Sequence, residues 1–575
     1  MKNWKILLPV VLLLSTLWFA CRDQETDNYQ PTADVAFAGR VIDEAGQPIE
    51  GAQVRAGNEL SITDANGVFR TNFVSLPSRD AKLFVNKIGY FDFSRAFIVN
   101  DNALQTVTVQ LLRKELAGTI SASAGGVVNV PGGVTLNFPA GSVNAQGQIR
   151  VFARYLDPSS SDLPLQMPGD LRALNTGGEE GVLATFGMVG VELTDQSGQT
   201  VQIASGSEVE ITMPIPADKL GVAPASIALW YYDLDEARWV EEGSAEKVGN
   251  QYVGKVKHFS FWNCDAFSAT VYMDGKVFLG DDQHPIAGAV IRLTVLSNGF
   301  QGYGYTDAFG WFGGAVPKDF AMKLEVLIPD QCGGQVIHTQ DIGPFQNDVT
   351  LPPIIITNLP PQLPIVTVSG ILADCNGQPV TYGYAKIELG GQVHTAFVNL
   401  NGEFELNTIN CGNSNSGTAI GYDLTNFLES APQDFDIVSG AANLGIVPVC
   451  NALSEYIQYT LDGQSVTQID PSGYIYPDSF STGTRVSLSA FDSLQLKSIY
   501  MSFANGNNQP GTYTLNELYV NNLSVSLAQA ANVTTILTAT GNVGELIIGT
   551  FSGTFTEVNG TSHTITGSYR VIRDQ

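Results

Sequence analysis

Two short stretches decide the fold: Gly39–Val54, GRVIDEAGQPIEGAQV, and Thr63–Phe69, TDANGVF. An alternating strand runs into a Gly/Asp turn, and Pro48 fixes φ on its far side. A second alternating strand follows through Val54. Next comes a tight turn in which Asp64 can bond its own backbone and Gly67 supplies positive φ. Phe69 then returns to the core. The pattern recurs at Gly275–Val290, with Pro285, Asp307, Gly310 and Phe312 in the corresponding places. It recurs again from Gly370, with Pro379, Asn399, Gly402 and Phe404. In this third copy Asn399 replaces the aspartate, and Tyr382-Gly383-Tyr384 replaces the small Gly-Ala pair. Each copy is expected to be a small two-sheet sandwich.

These residues resemble the carboxypeptidase regulatory-like domain, which implies a transthyretin-like fold. The resemblance brings no peptidase activity, because that module is an appendage of the catalytic domain. Between copies one and two lies a different unit. It holds Gly125-Gly126, Phe138-Pro139-Ala140-Gly141, and Val256–Trp262 with the triplet His258-Phe259-Ser260. It resembles ZU5-type β domains. The whole chain therefore reads as all-β, a tandem of antiparallel β-sandwiches of immunoglobulin or transthyretin-like type. The expected divisions are 1–20, a signal peptide; 21–34, a lipid anchor and tether; 35–115, the first repeat; 116–264, the ZU5-like unit; 265–358 and 359–450, the second and third repeats; and 451–575, a C-terminal β unit. The last carries a hairpin signal, long alternation from Gly544 to Phe555 and then Val558-Asn559-Gly560.

The N-terminus sets the expected address. Lys2 and Lys5 precede an apolar run from Ile6 to Phe19, and Ala20 precedes Cys21. This is the layout of a secretory signal, and cysteine after the small residue resembles a bacterial lipoprotein cleavage site. Trp18 stands where leucine is usual. Cys21 is then the lipidated first residue. The acidic stretch that follows, with Asp23, Glu25 and Asp27, reads as a tether and resembles the surface-export signal of Bacteroidetes lipoproteins. The expected location is the outer membrane, lipid-anchored and facing outward. Acids number 56 and bases 29; with Lys2 and Lys5 removed, 27 bases against 56 acids give about −29. Such a charge disfavours nucleic acid as a partner.

Catalytic patterns are thin. His258, His284, His338, His394 and His563 form no zinc-protease spacing, so no metal or cofactor is expected. Asp233, Asp235 and Glu236 read as a turn between strands. The triplet His258-Phe259-Ser260 is found at the self-cleavage point of some ZU5-type proteins. There Ser260 Oγ would attack the Phe259 carbonyl with His258 as base. The alternative is a closing strand with Phe259 facing the core. Six cysteines leave five after Cys21 is lipidated. Cys375–Cys411 is the favoured disulfide, with Cys375–Cys450 close behind; Cys264 and Cys332 are expected as buried thiols. Trp230, Tyr232, Tyr303 and Tyr305 are candidates for stacking on glycans, although alternation sends about half of strand aromatics into the core.

The function expected is a non-enzymatic surface protein for binding, adhesion or scaffolding, with a protein or polysaccharide ligand. A carbohydrate-binding accessory protein is the alternative. Pro352-Pro353 and Leu359–Pro364 read as a spacer. Neighbouring units are expected to share small interfaces, so that damage stays local.

Overall fold

The computed structural model describes residues 31–574 except 88, 161, 329–333, 360–362, 412–413, 427, 453–455, 463, 470, 478–483, 493–496, 506–508, 521–522, 525–531, 542, 544–545 and 557–559. The signal segment, Cys21 and most of the tether, together with Cys332, Val558 and Asn559, lie outside them. The chain is all-β, and among the described residues its strands form seven sheets whose pairings are mostly antiparallel.

The three repeats share one topology. In the first, Thr32–Ile42 pairs antiparallel with Val68–Arg70, which follows the glycine turn, and parallel with the last strand, Ala103–Gln110. In the third, Ile365–Ala373 pairs in the same way with Glu403–Ile409 and Ala441–Ala452. In the second, the C-terminal half of Phe261–Leu279 pairs antiparallel with Trp311–Pro317 and parallel with Val349–Thr350 and Ile354–Ile356. The facing layer of each repeat has a central strand between two neighbours: Gln53–Ala56, Val290–Val295 and Gly383–Leu389. In the third repeat Leu428–Ser430 pairs with both Ser416–Asp423 and Ala441–Ala452 and joins the two layers into one eight-stranded sheet.

The turns are built as the sequence indicates. Asp64 Oδ1 accepts from the backbone N–H of Asn66 and Val68, both at 2.9 Å. Asp307 Oδ1 does the same for Phe309 and Trp311 at 2.8 and 2.9 Å, and Asn399 Oδ1 for Asn401 and Glu403 at 2.9 and 3.0 Å. Gly67, Gly310 and Gly402 have φ of 70°, 72° and 77°. A β-carbon on Gly67 would also meet the carbonyl oxygen of Val41 at 2.5 Å. A hidden staple supports the first two turns. Thr63 Oγ1 donates to Ile49 O at 2.6 Å, as Thr306 Oγ1 does to Ile286 O, also at 2.6 Å.

Three boundaries move. The first strand begins at Thr32, so Asp34 belongs to the sandwich and not to the tether; its N–H bonds Asp101 Oδ1 at 2.9 Å. The division expected at 264/265 falls inside one 19-residue strand, Phe261–Leu279. Its residues Phe261–Ala269 pair with Glu180–Thr194 of the middle unit, and Thr270–Lys276 pair with Trp311–Pro317 of the second repeat. One continuous backbone therefore ties two units in a single fifteen-stranded sheet. The Pro-rich spacer is not free either, because Leu351 and Leu363 are buried in the second repeat's core.

The units are not beads on a string. The first repeat bonds to three others through buried and half-buried groups. Arg70 Nη1 donates to the carbonyls of Val398 and Gly383, at 3.0 and 3.3 Å. Tyr384 Oη donates to Asp64 Oδ2 at 2.5 Å and accepts from Asn66 Nδ2 at 2.9 Å, and Tyr382 Oη donates to Arg70 O. The two tyrosines that depart from the repeat pattern are thus the docking residues of the third repeat. Arg95 and Arg172 bind the first repeat to the middle unit, and Thr106 Oγ1 donates to Thr306 O of the second repeat at 3.0 Å. The C-terminal unit pairs Leu546–Thr556 with Ser562–Ile572, the expected hairpin.

Gly67→Val forces a β-branched residue into left-handed backbone against a carbonyl. It should cost about 2 kcal/mol or more. Because the same turn carries Asp64 and adjoins Arg70, the loss should reach the third repeat. Calorimetry should show a coupled downward shift; a change confined to one of several separate transitions would refute the coupling.

Candidate functional site

The four aromatic candidates part company. Trp230 and Tyr232 are 0% and 2% exposed, so neither offers a face to a sugar. They form one apolar cluster with Phe91 and Leu112 of the first repeat and with Trp239. Trp230 Nε1 donates to Asp265 O at 3.0 Å, and Tyr232 Oη to Ser94 O at 2.8 Å. Their strand, Ser226–Asp233, lies where the first repeat packs, and a covered strand face buries its rings. Tyr303 and Tyr305 instead border a cavity where the second repeat meets the first repeat and the middle unit. Tyr305 Oη donates to Pro164 O at 3.2 Å. Arg95, from the first repeat, borders the same cavity and lies 5.4 Å from the Tyr305 ring centroid. Arg95 escaped the sequence reading. The available signal was a lone cation in Phe93–Phe97, a strand with no other charged residue that is buried along its whole length.

The triplet His258-Phe259-Ser260 sits in the bend before Phe261–Leu279, not within a strand. Phe259 is buried and packs on Phe138 with ring centroids 5.7 Å apart. Its peptide is clamped by one side chain. Gln202 Oε1 accepts from Phe259 N at 2.8 Å, and Gln202 Nε2 donates to Phe259 O at 3.0 Å. Ser260 Oγ donates to Phe261 O at 3.0 Å. His258 packs edge-on to Tyr231 and faces Glu242 at 3.8 Å; burial holds its imidazole below the usual range. The base and the nucleophile are thus engaged with different groups. Purified protein should run as one full-length band on a denaturing gel, unchanged by Ser260→Ala; two fragments lost in that variant would establish self-cleavage.

Asp233, Asp235 and Glu236 form a turn. Asp233 Oδ1 accepts from the N–H of Asp235 and Glu236, both at 3.0 Å, and Glu236 reaches Lys82 of the first repeat at 2.8 Å. The favoured cysteine pairing is corrected. Cys375 bonds Cys450, with Cα atoms 5.3 Å apart. The strands Ile365–Ala373 and Glu403–Ile409 are antiparallel, which carries Cys411 to the opposite end of the sheet, whereas Ala441–Ala452 runs parallel and brings Cys450 alongside. Cys411 is itself disulfide-bonded, to a partner outside the described residues. Cys264 is a buried free thiol.

Asp265 is a second group the sequence concealed. It is fully buried, with Oδ1 lacking a partner, and Asn263 Nδ2 donates to Oδ2 at 2.9 Å. Burial pushes its carboxyl up to about 8. The folded chain then keeps a proton that the unfolded chain releases above about pH 4. This contribution to stability is full below that pH and is lost as pH rises toward 8. Asp265→Asn should flatten the decline, stabilising the protein by about 2 kcal/mol or more at pH 8 and little at pH 4. Urea denaturation at the two pH values measures it, and equal effects at both would refute the assignment.

No family model matches the chain. Cartilage intermediate layer protein 2 of Mus musculus is 26% identical over 229 residues, covering 37% of this chain and 19% of that protein. Cartilage intermediate layer protein 1 of Homo sapiens is 23% identical over 231 residues, covering 38% and 19%. The chain thus spans about a fifth of the length of these curated relatives. Among solved structures, the shaft pilin SpaA of Lactobacillus rhamnosus GG aligns at 13% identity with a TM-score of 0.17, covering 32% of this chain and 99% of that one. The Bacillus anthracis TIE protein aligns at 11% identity with a TM-score of 0.15, covering 70% and 66%. Structural likeness at this level carries no argument about what the chain does.

Proposed function

We propose that the chain is a membrane-anchored surface lipoprotein that acts without catalysis, as a binding, adhesion or scaffold protein. The observation that supports this most directly is the bonding of the first repeat to three other units through buried and half-buried arginine, tyrosine, aspartate and threonine side chains. Such an array is a rigid platform, because its units are hydrogen-bonded to one another at several separate places. The carboxypeptidase regulatory-like reading of the repeats draws support from their shared strand order. The ZU5-like reading of the middle unit rests on its glycine-rich opening and the Phe138–Gly141 turn.

Anchoring rests on the signal layout ending at Cys21. Residues 22–31 separate Cys21 from the first strand, a reach of about 35 Å when extended. An acidic body on so short a tether is repelled from anionic headgroups and is held just off the bilayer. Two or more acyl chains on Cys21 would make the attachment stable. Cys21→Ser should therefore move the protein from the membrane fraction to the soluble fraction, or leave it unprocessed. A variant that stays membrane-bound and normally processed would sink the reading. Protease shaving of intact cells distinguishes an outward-facing protein from a periplasmic one.

A further inference from the structure

The second repeat lacks side chains where the first has them. Gly302 lies opposite Leu293 and Gly304 opposite Ile291 on the neighbouring strand. Directly opposed residues of an antiparallel pair share a face. Both glycines therefore face the side that carries Ile291, a core residue 2% exposed. The corresponding positions of the first repeat, by alignment on Thr63 and Thr306, are Glu59 and Ser61. Gly314, on Trp311–Pro317, adds a third gap. A β-carbon built on Gly302, Gly304 or Gly314 would meet nothing within 4 Å, and none of the three is at positive φ.

The missing side chains leave a cavity of about 150 Å³ bounded by Ile291, Leu293, Phe312 and Met322 of the second repeat. The first repeat closes one end with Arg95. That residue is 4% exposed. Its Nε donates to Gly169 O and its Nη2 to Pro164 O, both at 2.9 Å, and Nη2 also approaches Met167 O at 3.3 Å. The remaining nitrogen, Nη1, is buried with no partner. Among the described residues no carboxylate forms an ion pair with Arg95. The guanidinium also lies 5.1 Å from the Phe93 ring centroid and 5.4 Å from that of Tyr305. A buried cation held by carbonyl dipoles and ring faces, with no carboxylate and one donor unused, is costly unless an anion completes it.

Asp170 and Arg172 also line the cavity but are paired with each other at 2.8 Å, which leaves Arg95 as the guanidinium without a carboxylate. A mainly apolar cavity with that guanidinium at one end is complementary to a molecule with an apolar body and a single anionic head. A closed apolar cavity of this size holds a benzene-sized body. Because this one is open at the mouth, a body of roughly eight carbons fits the same argument. We propose that the cavity binds a medium-chain monocarboxylic acid, with its carboxylate paired to the Arg95 guanidinium and its chain between the sheets beside Gly302 and Gly304. This rests on the binding half of the function proposed above and is independent of the anchoring half.

The test is calorimetric titration of the chain from Arg22 onward, which retains every described residue, with octanoate, 1-octanol and octylammonium. Saturable one-to-one binding of octanoate is expected, with 1-octanol at least tenfold weaker and octylammonium without measurable heat. Gly304→Leu places a side chain in the open space without backbone strain. It should abolish octanoate binding while leaving the melting temperature at or above that of the parent. Arg95→Met should reduce octanoate affinity at least tenfold and leave 1-octanol unchanged. If Arg95→Met does not fold, Gly304→Leu and the comparison of head groups still decide. No saturable octanoate binding, equal binding of octanoate and octanol, or full binding by Gly304→Leu would each overturn the proposal. None of these outcomes changes what Cys21→Ser does to membrane fractionation, so the two readings fail separately.

Discussion

The carboxylate of Asp64 holds two levels of structure at once. Its Oδ1 closes the turn that returns Val68–Arg70 to the first sheet, and its Oδ2 accepts the hydroxyl of Tyr384 from the third repeat. Burial raises its proton affinity, while the hydrogen bonds from Tyr384 and the turn backbone favour the charged form. Local folding and inter-unit docking therefore share one group. Asp307 makes the equivalent turn in the second repeat, and Asn399 makes it in the third, where its Nδ2 donates to Glu403 Oε2 at 2.8 Å within the same unit. An amide suffices for that geometry, since Oδ1 alone accepts both turn N–H groups.

Around this point the units are joined by arginines that address backbone carbonyls more than carboxylates. Arg70 reaches Gly383 and Val398, Arg95 reaches Gly169 and Pro164, and Arg172 reaches Arg79 and Ala96. The planar guanidinium offers several donors in a fixed fork, so carbonyls in the right places fix orientation as well as contact. Exposed ion pairs such as Arg79–Asp348 contribute little by comparison, because water and salt screen them. A chain with a large excess of acids thus places several of its cations where they specify how one unit sits on another. The continuous strand Phe261–Leu279 does the same by covalent means, since a β-strand that pairs in two units cannot let them pivot.

The places where the repeats differ are where the assembly happens. Tyr382 and Tyr384 interrupt the pattern of the third copy and dock it. Gly302 and Gly304 interrupt the second copy and hollow it. Residues that break a local rule at no evident gain within their own unit have their explanation in a neighbour or in a space.

The sequence by itself determined the all-β class, the three repeats, the turn carboxylates, the positive-φ glycines and the C-terminal hairpin. All of these follow from interactions within a few residues or from a period of two, which the order of residues encodes directly. Only the tertiary structure decided that Trp230 and Tyr232 are buried, that Cys450 and not Cys411 reaches Cys375, and that Arg95 ends beside the glycine-lined cavity. Each of those depends on which distant strand lies alongside and in which direction it runs. Alternation tells that a residue faces one side of a sheet; it does not tell whether that side meets water or another unit.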